Sequence, residues 1–222
     1  KGFADSKILP LYFKTIDASC YESVQQKGFV VYNRCNFLEV FADEKTQPNN
    51  DIFKDFYARM DSIEQRVNSY KYIPVKHFPE DDMLPWHGFL KDLSSKLESG
   101  EWAYVPNKSG GFMAFYDKII SNGQNNSPYL QIDCKKGTLH LRIDATGDED
   151  KKSIRNQWVQ KLTQDSALGF YKPARLGVGK TMAVAEKSLW EEEDILNAQK
   201  INEIASRINE TKKHIREEQK RV

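Results

Sequence analysis

Cysteine is scarce in this sequence, with Cys20, Cys35 and Cys134 the only three. An odd, widely spaced set makes neither a disulfide framework nor a metal cage and suits reduced thiols in a cytosol. The four histidines, His77, His87, His140 and His214, lack ligand spacing, and no serine sits in a nucleophile elbow, so neither a metallohydrolase nor a serine hydrolase is indicated. There is no charged-then-apolar leader and no apolar run near bilayer length, which leaves export and membrane insertion unsupported and a cytoplasmic location expected. Charge of one sign is also missing. With 33 Lys and Arg against 32 Asp and Glu, any contact with nucleic acid has to come from a local patch.

What is present is ample core material: 222 residues, 39% hydrophobic and 12% aromatic, enough for one large or two small globular domains. The chain starts at Lys1 and soon enters Ile8-Leu9-Pro10-Leu11-Tyr12-Phe13, which reads as a cut through a longer protein. The run itself reads as a strand buried on both faces. Asp17 and Ser19 then offer caps to a short helix through Val24, Gly28 closes it, and residues 29–32 resume as a strand. That order is a strand–helix–strand unit of an α/β layer. A small helix at 37–41 precedes a stronger one from Asp51 to about Tyr70, whose Ile52, Phe53, Phe56, Tyr57, Met60, Ile63 and Val67 follow steps of three and four. Pro74, Pro79 and Pro85 mark a domain boundary, and a helix with Phe89, Leu90, Leu93 and Leu97 stops at Gly100.

From Trp102 the texture changes to strands at 102–105, 111–116, 129–134 and 138–144. Lys135-Lys136-Gly137 joins the last two as an antiparallel hairpin. A helix through Ile154 and Leu162, a strand at 181–185 and a helical tail with Ile201, Ile204, Ile208, Thr211 and Ile215 complete the chain. The expected fold is α/β (α+β): a mixed sheet flanked by helices, an antiparallel meander in the C-terminal half and a long C-terminal helix. Three regions are expected, at 1–74, 75–190 and 191–222.

Two short motifs invite chemistry. Gly177-Val178-Gly179-Lys180-Thr181 ends like a P-loop, but the position of the wrapping glycine holds Ala174 and the following Met182-Ala183-Val184-Ala185 reads as a strand, so no helix N-terminus would face a phosphate. Asp133-Cys134-Lys135 closes a strand in the acid-x-lysine manner of metal-dependent nucleases, with Asp117 as a second carboxylate. The commoner reading, a hairpin whose polar face carries Gln131, Asp133, His140, Arg142 and Asp144, is favoured.

Leu9-Pro10-Leu11-Tyr12-Phe13-Lys14-Thr15, then Asp17, Ser19, Tyr21 and Val24, then Gly28-Phe29, Asn33-Arg34 and Phe37-Leu38 resemble the part that follows the catalytic core motif in a group of bacterial PD-(D/E)xK nuclease-superfamily proteins. The likeness continues through Phe53, Phe56-Tyr57, Ile63-Glu64, Ser69-Tyr70, Trp86, Gly88-Phe89, residues 109–112 and 129–131, and Gly179-Lys180-x-Met182. It spans residues 8 to about 186. The resemblance implies a Mg²⁺-dependent nuclease cutting DNA in the parent protein. It places the acidic and (D/E)xK strands before the segment at 8–13, so this chain would carry no catalytic residue and bind no metal itself.

Lys14 and Arg34, at the ends of adjacent strands, are the candidate nucleic-acid-binding residues; each could reach a phosphate or simply aid solubility. The rival reading is a non-enzymatic module that recognises nucleic acid or a partner protein through Gly110-Gly111-Phe112 and the hairpin face. A third makes the C-terminal helix a self-association arm.

Overall fold

The computed structural model describes residues 9–43, 47–106, 111–119, 128–144, 150–164, 168–176, 179 and 181–220, with side chains described to 217. Ile8, Ser109, Gly110, Gly177, Val178 and Lys180 from the readings above lie outside the described residues. Thr181 opens a strand.

The N-terminal part is a strand–helix–strand unit: β1 (Leu11–Lys14), α1 (Glu22–Gln25) and β2 (Val30–Asn33). The two strands run parallel, with Leu11 opposite Val30 and Lys14 opposite Asn33. Gly28 takes a φ of 82° and turns the chain back towards β2, a conformation that glycine adopts without steric penalty. The expectation that this strand is covered on both faces does not hold. Leu9 is 66% exposed and Leu11 54%, because among the described residues the sheet has two strands, and its Phe13 end packs against the rings of Phe37 and Phe56.

Those rings belong to α2 (Arg34–Val40) and α3 (Asp51–Asn68). Asn50 caps α3 by accepting from the Phe53 amide at 3.1 Å, and the apolar steps anticipated from sequence bring Met60, Ile63 and Val67 into a small core with Phe37. This core is largely aromatic: Phe37 meets Phe41, Phe53, Phe56 and Tyr57 at ring-centroid separations of 5.1–6.2 Å, within the range where tilted and edge-on pairs are favourable.

Helix α4 (Leu84–Ser94) joins the two halves. Leu84 belongs to the aromatic core, whereas Phe89, Leu90 and Leu93 are buried in the larger one. Gly88 makes the junction feasible, since a Cβ there would collide with the Val67 carbonyl and come within 2.7 Å of the Tyr70 ring. Helix α4, which begins at the end of the proline-rich segment, therefore contributes to both cores.

Five antiparallel strands follow: β3 (Glu101–Val105), β4 (Phe112–Lys118), β5 (Pro128–Asp133), β6 (Thr138–Asp144) and β7 (Thr181–Ser188), in spatial order β3-β4-β5-β6-β7. Helix α5 (Lys151–Gln164) lies in sequence between β6 and β7. The mixed α and β architecture, the antiparallel meander and the long C-terminal helix α6 (Ala198–Lys220) agree with the sequence reading. Alternation sends Met113, Phe115, Leu130, Ile132, Leu139 and Leu141 into the main core. Ile201, Ile204, Ile208 and Ile215 of α6 enter the same core, so the heptad-like positions of the tail are buried within its own chain.

Candidate functional site

Parallel pairing sets the C-terminal ends of β1 and β2 side by side, and ionisable residues collect there. The chain passes directly from β2 into α2, with Asn33 as N-cap: its side chain accepts from the Asn36 amide and the Asn36 side chain accepts from the Asn33 amide, both at 3.1 Å. This reciprocal cap satisfies two helix-end donors and makes Arg34 the first helical residue.

Arg34 is thereby corrected. It is not a strand-end surface cation but is 1% exposed. Its Nε donates to Glu64 Oε2 at 2.7 Å, Nη2 to Asp17 Oδ2 at 2.9 Å and Nη1 to the Thr15 carbonyl. A guanidinium buried beside two carboxylates is held by its fork geometry and has little left to offer a phosphate. Its role is to lock the ends of β1, α2 and α3 together.

Lys14 is half-buried, with Nζ 6.0 Å from the centroid of the Tyr21 ring. The neighbouring cation is one that sequence reasoning missed. Lys91 Nζ, on α4, donates to Asp17 Oδ1 at 2.9 Å, and its side chain is 44% exposed. Asp17, anticipated as a helix cap, instead receives one cation on each carboxylate oxygen, and α1 begins after Tyr21 with no side-chain cap. Burial alone would raise the Asp17 pKa, but Lys91 and Arg34 overcome it and hold the carboxyl below its ordinary value. The pair Asp17 and Lys91 is separated by 74 residues, so no local pattern could have found it.

Cys35 and His87 border this corner. Cys35 Sγ lies 3.6 Å from Glu64 Oε2 and 3.9 Å from Lys91 Nζ. Burial outweighs the lysine and raises its pKa, which leaves a thiol and not a nucleophilic thiolate at neutral pH. Burial also lowers the His87 pKa, helped by Lys14 and Arg34 against Asp17, so the imidazole is neutral; its ring stands edge-on to Trp102 at 5.1 Å.

The hairpin motif behaves differently from a metal site. Ala114 pairs with Asp133 and Asp117 with Leu130, so the two carboxylates lie three positions apart along β4 and point to opposite faces. Asp117 is fully buried and bound at 2.7 Å by Lys212 of α6 and at 2.8 Å by the Ser99 hydroxyl. Asp133 accepts from the Lys136 amide at 3.3 Å, and burial raises its pKa. Among the described residues, no group of three His, Cys, Asp or Glu is placed to hold a metal ion.

The polar face of the hairpin is real, with Gln131 opposite both Tyr116 and His140, but Gln131 and Asp133 are buried. Strand β5 lies in the middle of five, so its polar side chains are walled in by neighbours on both sides. His140 Nδ1 is 3.2 Å from Glu186 Oε1 without hydrogen-bond geometry. Burial, aided by Arg142 and Lys136, pushes its pKa down to about 4, so at neutral pH this is a contact of a neutral ring and not an ion pair.

No helix among the described residues is long and apolar enough to cross a membrane. Compared with known proteins, the chain matches no protein-family model, no curated protein and no solved structure.

Proposed function

We propose that the chain is part of a Mg²⁺-dependent PD-(D/E)xK nuclease acting on DNA, in which β1–α1–β2 extends the catalytic sheet and the corner at Lys14 and Lys91 faces phosphates. The observation that supports this reading best is the exposed apolar strand pair. Parallel strands belong in covered, multi-stranded layers, and an isolated two-stranded sheet is marginal. Leu9, Leu11 and Val30 nevertheless stand open to solvent. Strands with free edges and apolar faces pair with further strands, as the resemblance requires of the segment at 8–13.

The ionisable corner adds support from charge. In open α/β layers, ligands bind outside the carboxyl ends of the strands. Lys14, Arg34 and Lys91 there outnumber Asp17 and Glu64, leaving a local positive excess in a chain of formal net charge +1. Arg34 fixes the geometry, while Lys14 and Lys91 reach solvent and neutralise phosphates. Asp117 and Asp133 do not fit a Mg²⁺ site; in this reading the metal belongs to the catalytic strands that pair with β1–β2.

Fluorescence anisotropy on a short duplex at several salt concentrations tests the assignment. Lys14→Ala with Lys91→Ala should weaken binding and flatten the salt dependence by about two counterions at most, while exposed Lys213→Gln on α6 should leave both unchanged. Unaltered binding by the double variant, or loss on changing Lys213, sinks the proposed surface.

A further inference from the structure

A second surface lies away from the ionisable corner. A cleft of about 540 Å³ opens between the proline-rich segment before α4 and the β3–β4 end of the sheet, a volume typical of small-ligand and side-chain pockets. Its apolar walls are Phe78, Met83, Trp86, Tyr104 and Phe112. Tyr104 presents a ring that is 49% exposed. The ring is seated over Gly111, which has a φ of 74°, and a Cβ at that position would collide with it. The conformation of Gly111 and the position of Tyr104 are thus one arrangement.

The opposite wall is pinned by backbone. The Val75 amide donates to the Asp194 carbonyl at 3.0 Å and the Lys76 amide to the Glu192 carbonyl at 2.9 Å. Asp82 accepts from Arg66 at 2.9 Å and from the Leu84 amide at 2.9 Å, holding the turn that leads into α4. The cleft is preformed, so a ligand would bind without the entropic cost of ordering it.

Charge decides which ligand. Glu80, Asp81 and Glu192 line the cleft and have no cationic partner among the described residues, whereas Lys76 is already paired with Glu193 at 2.6 Å. Lys135, at the β5–β6 turn, lies close enough to Asp133 for their charges to interact. A phosphate backbone would meet net repulsion here. A cation flanked by apolar surface would meet these carboxylates, the exposed Tyr104 ring and an apolar wall that includes Trp86, the combination that recognises ammonium and guanidinium groups.

We propose that this cleft binds an arginine or lysine side chain of a partner peptide, with an apolar residue of that peptide beside it. The site is separate from the phosphate-facing corner, and its failure would leave the nuclease reading untouched.

The probe is N-acetyl-phenylalanyl-arginine amide, titrated into isotope-labelled chain, with the citrulline analogue as a neutral isostere. The arginine probe should shift the Trp86 indole and Tyr104 resonances saturably. The citrulline probe, and the arginine probe on Glu80→Gln/Asp81→Asn/Glu192→Gln, should bind about tenfold more weakly, the scale of a cation–π contact together with a charged hydrogen bond. The three changed residues are exposed or on the cleft rim, so the variant keeps its fold, and Tyr104→Ala should remove the shifts. Equal binding of the two probes, undiminished binding by the triple variant, or saturable shifts of the same resonances by oligothymidine instead would overturn the proposal.

Discussion

Lys212 and Asp117 are fully buried and meet at 2.7 Å, with Ser99 bridging both. Removing one member of a buried pair leaves an uncompensated charge, whereas replacing both with apolar groups removes the desolvation cost as well. Lys212→Ala should therefore destabilise the chain by about 3–5 kcal/mol, while Lys212→Met with Asp117→Leu should fall within about 1–2 kcal/mol of the parent. Urea titrations of the single and double variants decide it; equal losses would mean that the pair matters only through its shape.

His140 carries the clearest pH consequence at this scale. Its folded pKa is about 4 against an ordinary histidine value of 6.5, so between these values the unfolded chain binds a proton that the folded chain refuses. Stability is then fully retained above about pH 6.5 and falls with pH until about pH 4, by about 3 kcal/mol for a shift of this size. His140→Gln should remove that part of the slope. Identical pH profiles of urea midpoints for parent and variant would show that the imidazole titrates normally in the fold.

At the level of elements, the crossing of α3 and α4 depends on Gly88. Its backbone is ordinary, so the constraint is space: a methyl group would enter the Val67 carbonyl and the Tyr70 ring. Both neighbours are fixed, Val67 within α3 and Tyr70 fully buried with its hydroxyl donating to Asp92. Gly88→Ala should cost about 2–3 kcal/mol through overpacking, read as a drop in thermal midpoint. A neutral result would mean that the helices slide apart freely.

Elements were the most legible level from sequence. The 3.6-residue spacing of Phe53, Met60, Ile63 and Val67 and the alternation through Leu139, Leu141 and Ile143 are periods that backbone geometry imposes directly. Burial by other elements was not legible. An apolar run such as Leu11-Tyr12-Phe13 has the same composition whether two layers cover it or one, and only the two-stranded sheet distinguishes them. The candidate site suffered in the same way. Lys14 ends β1 and Arg34 directly follows β2, but Arg34 is internal and its neighbour Lys91 was not foreseen, because both facts rest on ion pairs 17, 30 and 74 residues apart in the chain.

For the whole molecule, the proposed division of labour leaves this chain without cleavage chemistry of its own. Plasmid incubated with it and Mg²⁺ should remain intact above background, since Asp117 faces Lys212 and Asp133 faces the opposite side of the sheet. Nicking that disappears in Asp133→Ala and Lys135→Ala would instead promote the hairpin to a catalytic centre.

The position of α6 also has a bearing on how the protein is made. Lys212 lies 95 residues beyond the Asp117 that it neutralises, and Ile201, Ile204, Ile208 and Ile215 complete the core that α4 and the sheet share. On the ribosome, at about 5–20 residues per second, β4 and β5 emerge seconds before the helix that caps them. During that interval the nascent chain displays the apolar surface that α6 will cover and an unpaired carboxylate near the end of β4. That exposure is a natural point for chaperone engagement, and it makes slow codons between β7 and α6 a hazard to yield that no property of the finished fold would reveal.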